Sequence, residues 1–262
     1  MKLPVYLNLP KHITDTLHAN NVNTDMISKS AQISDDIVLK TEHVFKIFDS
    51  NSGKVVALED INFTVKRGQF VSIMGPSGSG KSTLLNIIGA LDRPTSGHVF
   101  INGYDIFSLG DSEIATMRNR LIGYIFQSYN LVNRTTVEIN VKLPAIIAGM
   151  STEEANRRAK KILEELGIAD KAKQKPANLS GGQQQRVAIA RCLINNPAII
   201  LADEPTGNLD TKTGQDIFEM LKTLSHRFGR TIIMVTHNPE LAESTDRTVL
   251  IKDGRIEKDV LN

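Results

Sequence analysis

Gly75-Pro76-Ser77-Gly78-Ser79-Gly80-Lys81-Ser82, followed by Thr83, lies between Phe70-Val71-Ser72-Ile73-Met74 and Leu84-Leu85-Asn86-Ile87-Ile88. The first flank is a short apolar run bounded by Gly68 and Gly75, which reads as a buried strand; the second follows the glycines as a helix. Strand, glycine-rich turn and helix in that order form a phosphate-binding loop, G-x-x-x-x-G-K-[ST]. Its glycines let backbone N–H groups face phosphate oxygens, and the helix start adds the positive end of its dipole. Lys81 is placed to reach the outer phosphates. Ser82 is placed to give an oxygen to Mg²⁺, which takes oxygen ligands and shares them with phosphate.

Outward from this loop the chain alternates strand with helix. Ala198-Ile199-Ile200-Leu201-Ala202 and Thr231 to Val235 are continuous apolar runs of the kind buried on both faces of a parallel sheet. Ile217, Met220, Leu221 and Leu224 mark a helix between them. Ser151 and Glu154 have capping-box spacing before an apolar stripe of Ala155, Ala159, Ile162 and Leu166, so a helix runs there to Gly167. Another helix spans about Ser180 to Asn195. Asp253-Gly254 between apolar runs is a hairpin signal. Before the loop, Ile37 to Thr41 and Val55 to Val65 read as antiparallel strands around a turn at Asp49 to Gly53, and after it His98 to Ile101 read as a further strand. The fold class is therefore α/β.

The 262 residues, with 40% apolar and 23% charged, describe an ordinary globular chain rather than a fibre or a disulfide knot. Lys+Arg 31 against Asp+Glu 29 gives a net charge of +2, so no overall basic field calls for nucleic acid, and none is expected as a partner. The one cysteine, Cys192, rules out an internal disulfide and reads as a small buried apolar residue. No apolar run approaches a membrane span, and Pro4, Asn8 and Pro10 interrupt what a secretion signal would keep apolar; the expectation is a cytoplasmic chain. Residues 1 to about 36 are polar and aperiodic and read as a poorly ordered or loosely docked extension.

Asp203-Glu204, at the end of the first buried run, supplies the acidic partner that a phosphate loop needs: Asp203 for the Mg²⁺ shell and Glu204 to polarise water. Adjacent carboxylates after a strand are often only a solvated turn, but behind such a loop the functional reading prevails. Leu179-Ser180-Gly181-Gly182-Gln183-Gln184-Gln185-Arg186 offers a second glycine-rich helix start, with Ser180 as its cap.

That segment resembles the signature motif of the ATP-binding cassette ATPases, and it precedes Asp203-Glu204 at that family's spacing. The resemblance covers about residues 37 to 258. It implies a P-loop NTPase core (37–104 and 176–258) with an N-terminal antiparallel β group, an inserted α-helical subdomain at about 105–175, and a tail at 259–262. It further implies that ATP and Mg²⁺ are bound, that Ser180, Gly181 and Gly182 meet the γ-phosphate on the other subunit's loop, and that two copies sandwich two nucleotides. Phe48 stands where an aromatic residue stacks on adenine, although Tyr is more usual there. Gln127 matches the glutamine linking the magnesium site to the helical subdomain, Gly207-Asn208-Leu209-Asp210 resembles the loop that crosses the dimer interface, and His237 matches the histidine that senses the γ-phosphate and positions Glu204. Lys81, Glu204 and His237 are thus the expected catalytic groups, and Ser82, Gln127 and Asp203 the expected metal ligands. His12 and His18 fall in the extension, and His43, His98 and His226 read as structural or exposed.

The strings around Gly75 to Gly89, Leu91 to Gly97 and Leu201 to Asp210 are similar to the ATPases of macrolide-exporter, lipoprotein-release and bacitracin-resistance type systems. In Thr136-Val137-Glu138-Ile139-Asn140-Val141-Lys142-Leu143-Pro144, Ile139 stands where that group has Glu, a departure in the segment that faces the membrane partner. The resemblance implies an energising subunit on the inner face of the cell membrane, held there by an integral permease. A cassette driving mechanical signalling through a membrane partner is the alternative. A soluble translation or repair type fits less well, because there is one cassette and no long coiled coil, and a P-loop kinase would not need Ser180 to Gly182 or Asp210.

Overall fold

The computed structural model describes residues 34–50 and 53–262. The extension expected at residues 1 to about 36 lies outside the described residues up to 33. Ser34 to Asp36 are a turn tied to the first hairpin: Ile37 N donates to Ser34 O, and Arg67 N to Asp36 O.

Strands β1 (Ile37–Ser50) and β2 (Gly53–Lys66) form an antiparallel hairpin. With β4 (Ser96–Ile101) and β5 (Tyr104–Asp105) it makes a four-stranded sheet of order β2-β1-β4-β5. The second sheet contains β3 (Phe70–Met74), β6 (Ile122–Phe126), β7 (Ile199–Asp203), β8 (Thr231–Val235), β9 (Arg247–Lys252) and β10 (Arg255–Leu261), in the order β10-β9-β3-β8-β7-β6. Only β10 is antiparallel to its neighbour. The β9–β10 turn has both Asp253 and Gly254 at positive φ, the geometry that Asp-Gly favours.

Both faces of the parallel sheet are covered, which is why its strands read as unbroken apolar runs. In β8, Ile233 and Val235 enter the core shared with the four-stranded sheet, while Ile232 and Met234 enter the core under the helices; in β7, Ile199 and Leu201 divide from Ile200 and Ala202 in the same way. The first core also takes the buried side of α1 (Lys81–Ile88) and residues of α2 (Asp111–Leu121). The second takes α3 (Val137–Ile147), α4 (Thr152–Glu165), α5 (Gly181–Leu193) and α6 (Thr211–Phe228). A short α7 (Pro239–Glu243) precedes β9. Each apolar side chain fully withdrawn from water contributes about 1.5–3 kcal/mol, and these strands contribute from both faces.

Two boundaries differ from expectation. The segment 105–175 is not wholly helical, because β6 pairs in parallel with β7 along its full length and forms the sheet edge. Gly123 makes this possible: a Cβ there would lie 2.3 Å from Cys192 Sγ, so α5 packs directly on the strand backbone. Residues 259–261 are not a tail, since Asp259, Val260 and Leu261 pair with Val249, Thr248 and Arg247, and the Asn262 amide donates to the Ala242 and Thr245 carbonyls. Cys192 is buried, and desolvation pushes its thiol up to about 12. His43, His98 and His226 pair with Asp60, Asp105 and Asp246 at the surface.

Candidate nucleotide site

Parallel strands deliver their carboxyl ends to one edge of the sheet, and the register aligns them. Ile73 is level with Val235, Val235 with Asp203, and Asp203 with Phe126. The phosphate loop after β3, Asp203-Glu204 at β7, His237 after β8 and Gln127 after β6 therefore share one crevice, where open α/β sheets take ligands.

Within the loop, glycine is needed for two separate reasons. Gly75 has φ 150° and a Cβ there would come within 2.0 Å of Ile251 O; at Gly80, φ 102°, it would come within 2.5 Å of Ala57 O. Gly78, φ 79°, meets nothing within 4 Å, so its left-handed turn leaves space open above the loop. The helix start is chemically open as well: Gly80 gives α1 no side-chain cap, and its first turn holds no acid. The helices α3 to α7 are capped by Thr136, Ser151, Ser180, Asp210 and Asn238 respectively. The leading N–H groups of an uncapped helix, with the dipole behind them, suit an anion.

Lys81 Nζ donates to Gly75 O (2.9 Å) and Pro76 O (2.8 Å), folded back on its own loop. Burial holds its pKa below the usual lysine range, and Glu204 and Asp203 act in the opposite direction. Burial, followed by the Glu204 carboxylate, raises the Asp203 pKa, against a hydrogen bond from Ser82 and the charge of Lys81. A carboxyl disfavoured as an anion by burial and by a like charge is one that a divalent cation would satisfy, and the Ser82 hydroxyl beside it is a fitting second oxygen. Among the described residues no three His, Cys, Asp or Glu side chains converge as a protein-only metal cage. The donor set suits a hard cation completed by phosphate and water.

His237 Nε2 lies 2.8 Å from Glu204 Oε1. The pair is held by backbone, as Glu204 N donates to Val235 O and Gly207 N to Glu204 O, with Glu204 itself at φ 44°. Gln127 joins them: Asn208 Nδ2 donates to Gln127 O (3.0 Å), and a Cβ on Gly207 would stand 2.7 Å from Gln127 Nε2 and 3.3 Å from Glu204 Oε2. Phe48 is 42% exposed, opposite Val55, with Lys46 Nζ 4.8 Å from its ring centroid. It belongs to the hairpin whose Ala57 and Leu58 close on Gly80.

Ser180, Gly181, Gly182 and Asp210 form a second cluster, and among the described residues no hydrogen bond or ion pair joins them to residues 75–83 within the chain. Ser180 accepts from Gln183 N, and Gln183 Oε1 accepts from Ser180 N. Gly181 abuts the Tyr129 hydroxyl and Leu209, and Gly182 abuts Thr213. Asp210 caps α6 through Thr213 N, and hydrogen bonding from the Thr213 side chain, followed by that from its backbone N–H, holds the Asp210 carboxyl below the usual range.

The structure adds residues that the sequence reading passed over. The Arg191 guanidinium on α5 donates to the carbonyls of Tyr129 and Asn130, two successive residues at positive φ. Asn130 is a residue type that tolerates this conformation and could have been flagged; nothing in the sequence marks Tyr129. Lys46 Nζ donates to Asp92 Oδ1 (2.7 Å), a pairing between distant residues that no local pattern marks.

The sequence pattern of the ABC transporter family matches residues 58–207. An ABC transporter ATP-binding protein of Thermotoga maritima is 54% identical over 84% of this chain and 94% of its own length. The chain belongs to the ABC transporter family. This ATPase is also 50% identical, over 84% of its length, to the macrolide export ATP-binding/permease protein MacB of Bartonella henselae, of which it spans only 33%. In three dimensions the cassette matches the dimeric post-hydrolysis structure of the ATP-binding cassette MJ0796 bound to ADP and Pi, with TM-score 0.79 and 46% identity, covering 85% of this chain and 98% of that one. No described helix of the cassette is long and apolar enough to cross a membrane.

Proposed function

We propose that two copies of this chain close head-to-tail around two molecules of ATP, and that hydrolysis reopens the pair and so drives an integral membrane permease from the inner face of the cell membrane. The observation that carries the reading is the shared crevice in which the uncapped helix start, Lys81, the Ser82–Asp203 contact and the Glu204–His237 pair meet. In this reading the backbone N–H groups of Gly75, Ser77, Gly78, Ser79, Gly80, Lys81, Ser82 and Thr83 cradle the phosphates, and Pro76, which has no N–H to give, shapes the loop between them. Lys81 leaves its two loop carbonyls for phosphate oxygens, and Phe48 offers its free ring face to adenine. Ser180, Gly181, Gly182 and Asp210 serve the nucleotide of the other copy. The dimeric MJ0796 cassette, described with ADP and Pi, supports the pairing, and the MacB proteins, described as ATP-binding/permease proteins, support the permease.

Ser82, Asp203 and Gln127 would hold Mg²⁺, which when bound neutralises charge on the phosphate oxygens. Glu204 orients water and accepts its proton at a carboxylate oxygen, and His237 fixes that carboxylate through Nε2. Phosphoryl transfer asks mainly for positioning and charge stabilisation, which the loop amides and Lys81 provide. Glu204→Gln keeps size and hydrogen bonding but removes the base. Its turnover is expected to fall by about 10²-fold or more while ATP still binds; turnover at the wild-type rate would contradict the reading.

A further inference from the structure

Glu204 occupies a backbone conformation that residues with a side chain seldom adopt, φ 44°, and does so one residue before a proline. Proline restricts the residue preceding it toward extended backbone, so the sequence itself works against the left-handed turn at Glu204. Something outside the turn must hold it. Glu204 N and O are bonded to Val235 O and Gly207 N. The next carbonyl, that of Pro205, is bonded from a different element: Gln185 Nε2 on α5 donates to it at 2.7 Å.

Gln185 is unusual in its own right. Its side chain is 0% exposed, and its Oε1 is buried with no hydrogen-bond partner. The carbonyl of Pro205 can only accept, which fixes the amide nitrogen toward it and leaves the oxygen orphaned. A buried amide that satisfies one side and strands the other costs stability relative to an apolar side chain of the same shape. Packing alone therefore gives no reason for glutamine among the apolar neighbours Val187, Ala188 and Ile189 on the same helix.

We infer that Gln185 is a positioning residue that holds the Pro205 carbonyl, and through it the Glu204 carboxylate, in register with the helix that begins at Ser180. The inference rests on the reading of Glu204 as the group that activates water. Gln185 acts through the Pro205 carbonyl, to which it donates. It lies one helical turn past the Ser180 cap, so a displacement of the α5 start moves the donor that fixes the turn after Glu204. The helix start expected to serve one nucleotide is thereby linked by a single buried hydrogen bond to the carboxylate expected to serve the other.

Steady-state turnover and ATP affinity of the full chain are to be measured for wild type, Gln185→Met, Gln185→Asn, Glu204→Gln and Glu204→Gln/Gln185→Met. Met fills the site without a donor, and Asn is one methylene too short to reach Pro205. Both are expected to lower kcat by about 10- to 100-fold, the scale of a misplaced catalytic group, with ATP affinity within about twofold of wild type. The double variant is expected to be no slower than Glu204→Gln alone, because a mispositioned residue that no longer acts as base has nothing further to lose. Wild-type kcat in either single variant would overturn the inference, as would a further loss in the double variant or a loss of ATP binding in step with kcat, each of which assigns Gln185 to packing. If Glu204→Gln itself turns over normally, the underlying reading of Glu204 fails instead, whatever the Gln185 variants do.

Discussion

Two helices of this chain begin on glycine-rich turns, and in a single copy they are chemically opposite. At α1 the start is uncapped, with Gly80 in the left-handed region and Lys81 folded onto the loop's own carbonyls. At α5 the start is closed on itself by the reciprocal Ser180–Gln183 capping box. The first end is pre-shaped for an anion and holds its cation in reserve. The second bonds Ser180 N and Gln183 N within its own first turn and packs its glycines against Tyr129, Leu209 and Thr213. The same composition thus yields one open helix start and one tied to its own third residue. In the proposed pairing of two copies, the open end would bind the nucleotide and the self-capped end of the other copy would meet it.

The largest expected effect separates the two ends by removing the open one. Lys81→Ala should lower ATP turnover by about 10²- to 10³-fold or more, as deletion of a donor to developing phosphate charge does, and a coupled-enzyme ATPase assay reads this directly. Gly182→Ala attacks the other end, since its Cβ would meet Thr213 Cγ2 at 2.4 Å. Turnover should fall by about tenfold, the misplacement again being remote from the loop, while ATP affinity, read by fluorescence titration, stays unchanged. If affinity and turnover fell together there, the two ends would not be independent. The smallest effect is Ser180→Ala, which removes the cap and should cost about 1 kcal/mol in urea unfolding. An unchanged midpoint would show that the α5 start is not self-satisfied.

The elements carrying this contrast were legible to different degrees. The phosphate loop was readable because its glycines, lysine and serine are each demanded by backbone or ligand geometry, and β7 and β8 because burial on both faces leaves an unbroken apolar run. Strand β6 was harder to see. Its five residues contain Gly123, and only the fit of Cys192 against that glycine shows why the run belongs to the sheet. Residues 259–261, expected as part of a tail, instead end the edge strand β10, because an edge strand can be charged and still pair. Within the site, Lys81, Ser82, Asp203 and Glu204 can be singled out from type and spacing, whereas His237 enters through the family resemblance. The Arg191 clamp on Tyr129 and Asn130, and the reach of Gln185 to Pro205, depend on the approach of elements far apart in the chain, which no local pattern encodes.

The proposal that the open end of one copy and the self-capped end of another share a nucleotide is tested most directly by light scattering of the Glu204→Gln variant with and without ATP. ATP is expected to convert a monomer into a stable dimer, because nucleotide binds but is not consumed, and the further change Lys81→Ala should abolish the conversion. A strictly monomeric profile for Glu204→Gln at high protein and saturating ATP would contradict the account.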